Sequence, residues 1–216
     1  MDRLAIVGHG PSMLSGENGS RIDECEVMRL KRSSHLLKDP IHYGSKTDYV
    51  TCSFTIGDQI QGDWPQVKWF FLFTDTRNQG LTKQSIEHTR ALLKPAEACV
   101  DPALCNYWIM AYRENRLCQN LDARQETKGP LSDEYGHLHP SAGFFSILYS
   151  MVYLKPSMIE LFGFDSLTSG KFDWSVTRGE DWRNYPDHNW STEHKLLPWL
   201  AKIYGYRQSA TTLEKI

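Results

Sequence analysis

The segment Val67–Thr74, with its run Trp69-Phe70-Phe71-Leu72-Phe73, constrains the fold of this chain more than any other. Successive side chains of a strand point to opposite faces, so consecutive large apolar residues need cover on both. That describes a central strand of a sheet packed on two sides. The rest of the chain supplies companions. Leu4–Gly8 is a short apolar run closing on glycine, which predicts a buried strand entering a Gly-rich turn. Glu26–Lys31, Tyr49–Phe54 and Ser157–Phe164 read as further strands. Helices are predicted over Leu81–Leu93, from the Asp101-Pro102 cap to Arg116, over Ser141–Leu154 and over Thr192–Tyr204. Strands alternating with helices predict an α/β fold with a mainly parallel sheet. In such sheets ligands sit beyond the carboxyl ends of the strands. At 216 residues, without repeats, one domain over 1–216 is expected. Residues 119–136 read as a polar loop, and 165–190, polar and rich in Trp and Asp, as a lid or acceptor loop.

Composition removes several classes. The net charge is -2 and there is no basic run, so nothing marks a duplex-binding surface. The five cysteines (25, 52, 99, 105 and 118) are odd in number and contain no C-x-x-C pair, which argues against a disulfide framework and a thiolate zinc site. No apolar stretch approaches the ~20 residues that span a bilayer, and no signal peptide precedes the first strand. The expectation is a cytoplasmic protein with reduced thiols. Seven Trp and ten Tyr suit either a sugar-sized pocket or an aromatic core.

Three constellations carry candidate chemistry. Val7-Gly8-His9-Gly10-Pro11-Ser12 comes directly after a strand; glycines there let backbone N–H groups meet an anion, with Ser12 adding a hydroxyl, or they form only a turn. The run is neither G-x-G-x-x-G nor a P-loop, so neither NAD nor Mg-ATP is implied. Pro140-Ser141-Ala142-Gly143 opens a helix whose first N–H groups suit a phosphate or ribose, and leads to Glu160-Leu161-Phe162-Gly163-Phe164-Asp165; a plain N-cap and strand end is the other reading. His188, with Glu193 and His194 nearby, offers a general base for a sugar hydroxyl, or a solvated loop histidine before a helix whose first turn carries a glutamate. His137-x-His139 with His188 and His194 suits zinc only in part, lacking an acidic ligand at a telling spacing, so no metal is expected.

Taken in order, these segments resemble the sialyltransferase family, glycosyltransferase family 29. The large motif of that family resembles Val7–Ser12, Gly19-Ser20-Arg21-Ile22-Asp23 and Val27-Met28-Arg29-Leu30-Lys31. Its small motif resembles Pro140–Gly143 through Leu161–Asp165, and its very small motif, a His and a Glu separated by four residues, resembles His188 to Glu193. The likeness covers roughly eighty residues; 55–135 carries no match. The resemblance implies a Rossmann-like three-layer α/β/α fold, a GT-A-like variant. It also implies inverting, metal-independent transfer from a CMP-sugar, sialic-acid-like, to an acceptor hydroxyl, with no cofactor beyond the nucleotide-sugar donor. His188 and Glu193 would be catalytic. The donor would be held by Gly8, His9, Gly10, Ser12, Arg29, Lys31, Ser141, Ala142, Gly143, Gly163 and Asp165.

The chain departs from the family at His9 and Lys31, where the family has Asn; Lys31 offers phosphate a point charge. The family's second His has no counterpart at 171–187; Tyr185, Arg183 or His9 would substitute electrostatically. The family's disulfide is impossible, because 140–165 lacks Cys. The expectation is a bacterial or viral transferase without a membrane span, acting on a glycan or on a modified base in DNA, the Trp-rich 174–190 segment then stacking the base. The alternatives are a nucleotide-binding module without catalysis and a His-based metal-dependent hydrolase.

Overall fold

A computed structural model describes residues 1–30, 34–53, 67, 69–73, 97–100, 141–165 and 190–216. Six strands run parallel: β1 (Arg3–Val7), β2 (Glu26–Leu30), β3 (Tyr49–Ser53), β4 (Trp69–Phe73), β5 (Glu97–Val100) and β6 (Met158–Phe162). The hairpin β7 (Tyr206–Ser209) and β8 (Thr212–Lys215) joins antiparallel to β6, giving the order β5-β4-β3-β2-β1-β6-β8-β7. The fold is therefore α/β with a mixed sheet, mainly parallel. The strands expected at 4–8, 26–31, 49–54, 67–74 and 157–164 all form; the first is shifted back by one residue, and the other four are one to three residues shorter than expected. The expected helices at 81–93 and 101–116, and the 119–136 loop, lie outside the described residues.

Short helical pieces link the first strands. Between β1 and β2 come a 3-10 turn (Pro11–Ser15) and α1 (Gly19–Asp23); between β2 and β3 come a 3-10 turn (Ser34–Lys38) and α2 (Pro40–Tyr43). The helix expected at Ser141–Leu154 is α3 (Ala142–Tyr149), continued by a π turn over Ser150–Leu154 and stopped by Lys155 at φ 50°. The last helix, α4, spans Trp190–Ile203.

Strand alternation divides the core. One face of the sheet presents Leu4, Ile6, Met28, Leu30, Ile159, Leu161 and Leu213 to Phe144, Ile147 and Leu148 of α3 and Leu196, Leu197 and Leu200 of α4. The other presents Ala5, Val7, Val27 and Phe162 to Met13, Ile22, Leu36 and Tyr43. The second face also buries Glu160, 2% exposed, whose Oε1 accepts from Arg3 (2.6 Å from Nη2) and whose Oε2 accepts from Arg21 (2.7 Å from Nε). A buried carboxylate needs such pairing, and these bonds tie β1, α1 and β6 together.

Among the strands, β5, β7 and β8 had no expectation. β5 is four residues long, too short for a periodic signal. The β7–β8 hairpin turns through Ala210 at φ 45°, where glycine or asparagine would have marked it.

Candidate functional site at the strand switch

Chain order leaves β1 in both directions, through β2 to β5 on one side and to β6 on the other. Such a reversal opens a crevice at the carboxyl ends, the usual ligand position in α/β sheets. Val7 and Phe162 end the two strands as register partners. Immediately past these ends the two backbones touch. Gly8 N–H donates to Phe162 O (2.7 Å) and Gly10 N–H to Gly163 O (2.9 Å). A Cβ on Gly8 would stand 2.6 Å from Gly163 O, and one on Gly10 would stand 1.8 Å from Asp165 Oδ2. Gly163 itself sits at φ +68°, in left-handed space that favours glycine. The two glycine segments of the sequence are therefore halves of one interlock.

This contact changes the chemistry expected of Gly8–Ser12. The Gly8 and Gly10 N–H groups already have carbonyl partners. Ser12 N–H donates to Asp165 Oδ2 (3.3 Å), and Pro11 has no N–H to give. The sequence placed these donors on an anion; the structure places three of them on the β6 exit. His9 is 2% exposed.

Past the β6 exit, Phe164 packs against α3. A Cβ on Gly143 would lie 2.7 Å from Phe164 Cε1, so this glycine lets the first turn of α3 lie on the Phe164 ring. Ser141 caps the helix: its Oγ accepts from Phe144 N–H at 3.0 Å. Ser141 also donates twice to one carboxylate, from N–H to Glu193 Oε1 (2.5 Å) and from its hydroxyl to Glu193 Oε2 (2.8 Å). Glu193 is wholly buried. Burial pushes its carboxyl up to about 8, against the Ser141 bonds, which favour the charged form. It stands in the first turn of α4 and touches the N-cap of α3, where helix dipoles favour negative charge.

Segments that the sequence spreads from residue 8 to residue 193 thus form one chain of contacts: Gly8 and Gly10 on Gly163, Ser12 on Asp165, Phe164 on Gly143, Ser141 on Glu193. His188 and Lys31 lie outside the described residues, as do Arg183, Tyr185, His137, His139 and residues 166–189 of the expected lid.

Arg29 does different work from that expected of it. It is fully buried on the Val27 face of β2. Its Nε donates to Thr47 Oγ1 (2.9 Å), and its Nη2 donates to the carbonyls of Tyr43 (2.8 Å) and Lys46 (2.8 Å). Burial lowers its guanidinium to about 10, a fall that Asp23 opposes. Asp23 holds the same loop from the other side, accepting from Ser45 N–H, Ser45 Oγ and Lys46 N–H. Burial alone would raise the Asp23 carboxyl; these hydrogen bonds outweigh it and lower it. Of these motif matches, Asp23 and Arg29 clamp the 43–47 turn, and Ile22 packs in the core. Sequence reasoning missed Thr47 and Asp48, and it placed Glu160 in the second constellation without its arginine partners; all three are buried and bonded.

No family model matches the chain, and no curated protein does. Solved structures do. A mammalian sialyltransferase in complex with Gal-beta-1-3GalNAc-ortho-nitrophenol matches with a TM-score of 0.54 at 16% identity, covering 94% of this chain and 67% of that one. A second mammalian sialyltransferase structure matches with a TM-score of 0.54 at 17% identity over the same shares. The chain has a sialyltransferase-like α/β fold. Among the described residues no helix is long and apolar enough to cross a membrane.

Proposed function

We propose that this chain is an inverting, metal-independent glycosyltransferase on a Rossmann-like three-layer frame. It moves a sugar from a nucleotide donor, a CMP-sugar of sialic-acid type, to an acceptor hydroxyl on a glycan. The observation that carries the reading is the contact chain from Gly8 to Glu193 at the β1–β6 switch. Segments chosen for their likeness to one transferase family meet there, in a fold shared with sialyltransferases across 94% of the chain.

In this reading the donor lies beyond Gly163 and the start of α3. The Ala142 and Gly143 N–H groups lie in the first turn of α3, before its first backbone hydrogen bond, from Phe145 N–H to Ser141 O; they would face the leaving phosphate. Preorganised donors of this kind stabilise developing charge by several kcal/mol. His188 takes the proton of the acceptor hydroxyl as the anomeric carbon leaves the phosphate, and Lys31 adds a positive charge to the donor side. Asp165 and Ser12 fix the floor of the crevice. A modified DNA base as acceptor is the variant in which the Trp-rich 174–190 segment stacks the base.

A thermal-shift screen of nucleotides and nucleotide sugars, with a transfer assay on the hits, tests the proposal. A cytidine-specific stabilisation with transfer to an oligosaccharide supports it, and His188→Ala then keeps the shift while abolishing transfer. A uridine or guanosine preference overturns the donor. Full activity in His188→Ala overturns the base.

A further inference from the structure

The Ser141–Glu193 pair has a property that its role as a structural link does not use. Ser141 Oγ has one proton and two lone pairs. One lone pair accepts Phe144 N–H at 3.0 Å, and the proton goes to Glu193 Oε2 at 2.8 Å. While Glu193 is ionised, the hydroxyl is committed inward. If Glu193 gains a proton, its own O–H donates to the second lone pair of Ser141. The hydroxyl proton must then turn elsewhere, and the direction left is away from the carboxyl.

We propose that Glu193 is a positioning residue that acts through Ser141: the pair exchanges donor and acceptor roles, so that occupation of the crevice by a phosphate is coupled to uptake of one proton by Glu193. The inference rests on the nucleotide-donor reading above. Atoms balance: one proton enters from solvent onto Glu193 Oε2, and the hydroxyl proton of Ser141 rotates from that oxygen to a phosphate oxygen. No bond to carbon changes.

The surroundings make the exchange cheap. Glu193 has no exposed surface, and burial already brings its carboxyl to about 8, within reach of neutral pH. Among the described residues, Ser141 supplies the polar contacts that act on it. The α3 segment AGFFSILY carries no charged side chain. Among the described side chains of α4, the titratable group next to Glu193 in sequence is His194, half-buried. The sheet face against α3 brings Leu4, Ile6, Met28 and Leu30, together with one carboxylate, Glu26, bonded to the Tyr49 hydroxyl.

The test is calorimetric titration of the full chain with CMP from pH 7 to pH 10, in buffers of different ionisation heat. The second ionisation of a phosphate monoester lies near pH ~6, so CMP holds one charge state across this window. In the wild type, proton uptake should be small at pH 7 and approach one per CMP toward pH 10. Affinity should fall about tenfold per pH unit above the Glu193 transition. Glu193→Gln mimics the protonated carboxyl, its amide donating to Ser141 Oγ. It should keep the low-pH affinity at every pH and lose the uptake, while proton changes at groups common to both proteins cancel in the comparison. Circular dichroism checks that the variant folds. If it does not, Ser141→Ala, which deletes the exchanging hydroxyl, should also lose the uptake. Binding without proton uptake in the wild type overturns the inference and leaves the donor reading standing. If CMP fails to bind at any pH, the donor reading falls, and the same titration with inorganic phosphate decides this one. Phosphate bound with uptake that Glu193→Gln removes supports it; no binding, or no uptake, overturns it.

Discussion

Replacing Gly163 with alanine tests the interlock at the strand switch, and Gly205 provides an internal control. Both glycines have left-handed backbone, at φ +68° and φ +76°. An L-residue pays about 1–2 kcal/mol for that conformation at either site. They differ in surroundings. A Cβ on Gly205 meets nothing within 4 Å. A Cβ on Gly163 would stand 2.8 Å from Met13 Cγ, 3.0 Å from Gly10 N and 3.1 Å from Gly8 C. Two of those atoms are backbone, and Met13 is 1% exposed, so none can step aside easily. Overpacking of this kind adds about 1–3 kcal/mol. Gly163→Ala should therefore cost about 2–5 kcal/mol and Gly205→Ala about 1–2 kcal/mol. For a chain of this size each kcal/mol moves the melting midpoint by about 2–4 °C. Urea denaturation, monitored by tryptophan fluorescence and by far-ultraviolet circular dichroism, gives both values. In the proposed donor reading, Gly163→Ala should also weaken any nucleotide-induced thermal shift, because the donor would lie on this strand exit. Equal destabilisation of the two variants would refute the interlock as a packing constraint and reduce Gly163 to a turn residue.

The remaining predictions concern buried charge. Arg29→Lys should lower stability by about 3 kcal/mol, since an ammonium cannot reach the Tyr43, Lys46 and Thr47 oxygens together; a wild-type urea midpoint would show that the guanidinium clamp is idle. Glu160→Ala should cost roughly 2–3 kcal/mol, less than a fully buried pair because Arg3 and Arg21 are 40% and 55% exposed and regain water; chemical denaturation at low and high salt measures it. Glu193 binds its proton more tightly folded than unfolded, so stability should fall as pH rises from the ordinary carboxyl range, about 4.3, toward about 8, and this slope should flatten in Glu193→Gln. Asp23 has the opposite sign: its folded carboxyl is depressed, so its contribution is present above pH ~4 and is lost as pH falls through the lowered value. Asp23→Asn should therefore shrink the acid-side loss seen in thermal melts from pH 2 to pH 6.

Strands were legible in this sequence because a strand buried on both faces is an unbroken apolar run, and Leu4–Val7 and Trp69–Phe73 are such runs. Contacts between distant segments were not legible, because a glycine announces freedom of the backbone without naming what approaches it. Gly8, Gly10 and Gly163 each looked like a local turn; together they let two strand exits touch, and that touch consumes the N–H groups assigned to a ligand. Periodicity carries part of this information. Glu193 lies on the stripe with Leu196, Leu197, Leu200 and Ala201, at the i, i+3, i+4, i+7 and i+8 spacing of a buried helix face. A carboxylate on that stripe needs a buried donor, and the capping serine before Ala142-Gly143 was the natural one to seek. Arg29 likewise shares the Val27 side of β2, and period two places it inward. Both residues matched family motifs, and the match suggested a catalytic role for Glu193 and donor contact for Arg29 where the spacing pointed to the core. Motif matching locates the residues a site depends on, and helical or strand period then separates those facing the ligand from those that hold them in place. Ser141 stands on the boundary between the two groups: its N–H and hydroxyl turn inward to Glu193, and in the proposed reading the helix it caps meets the donor.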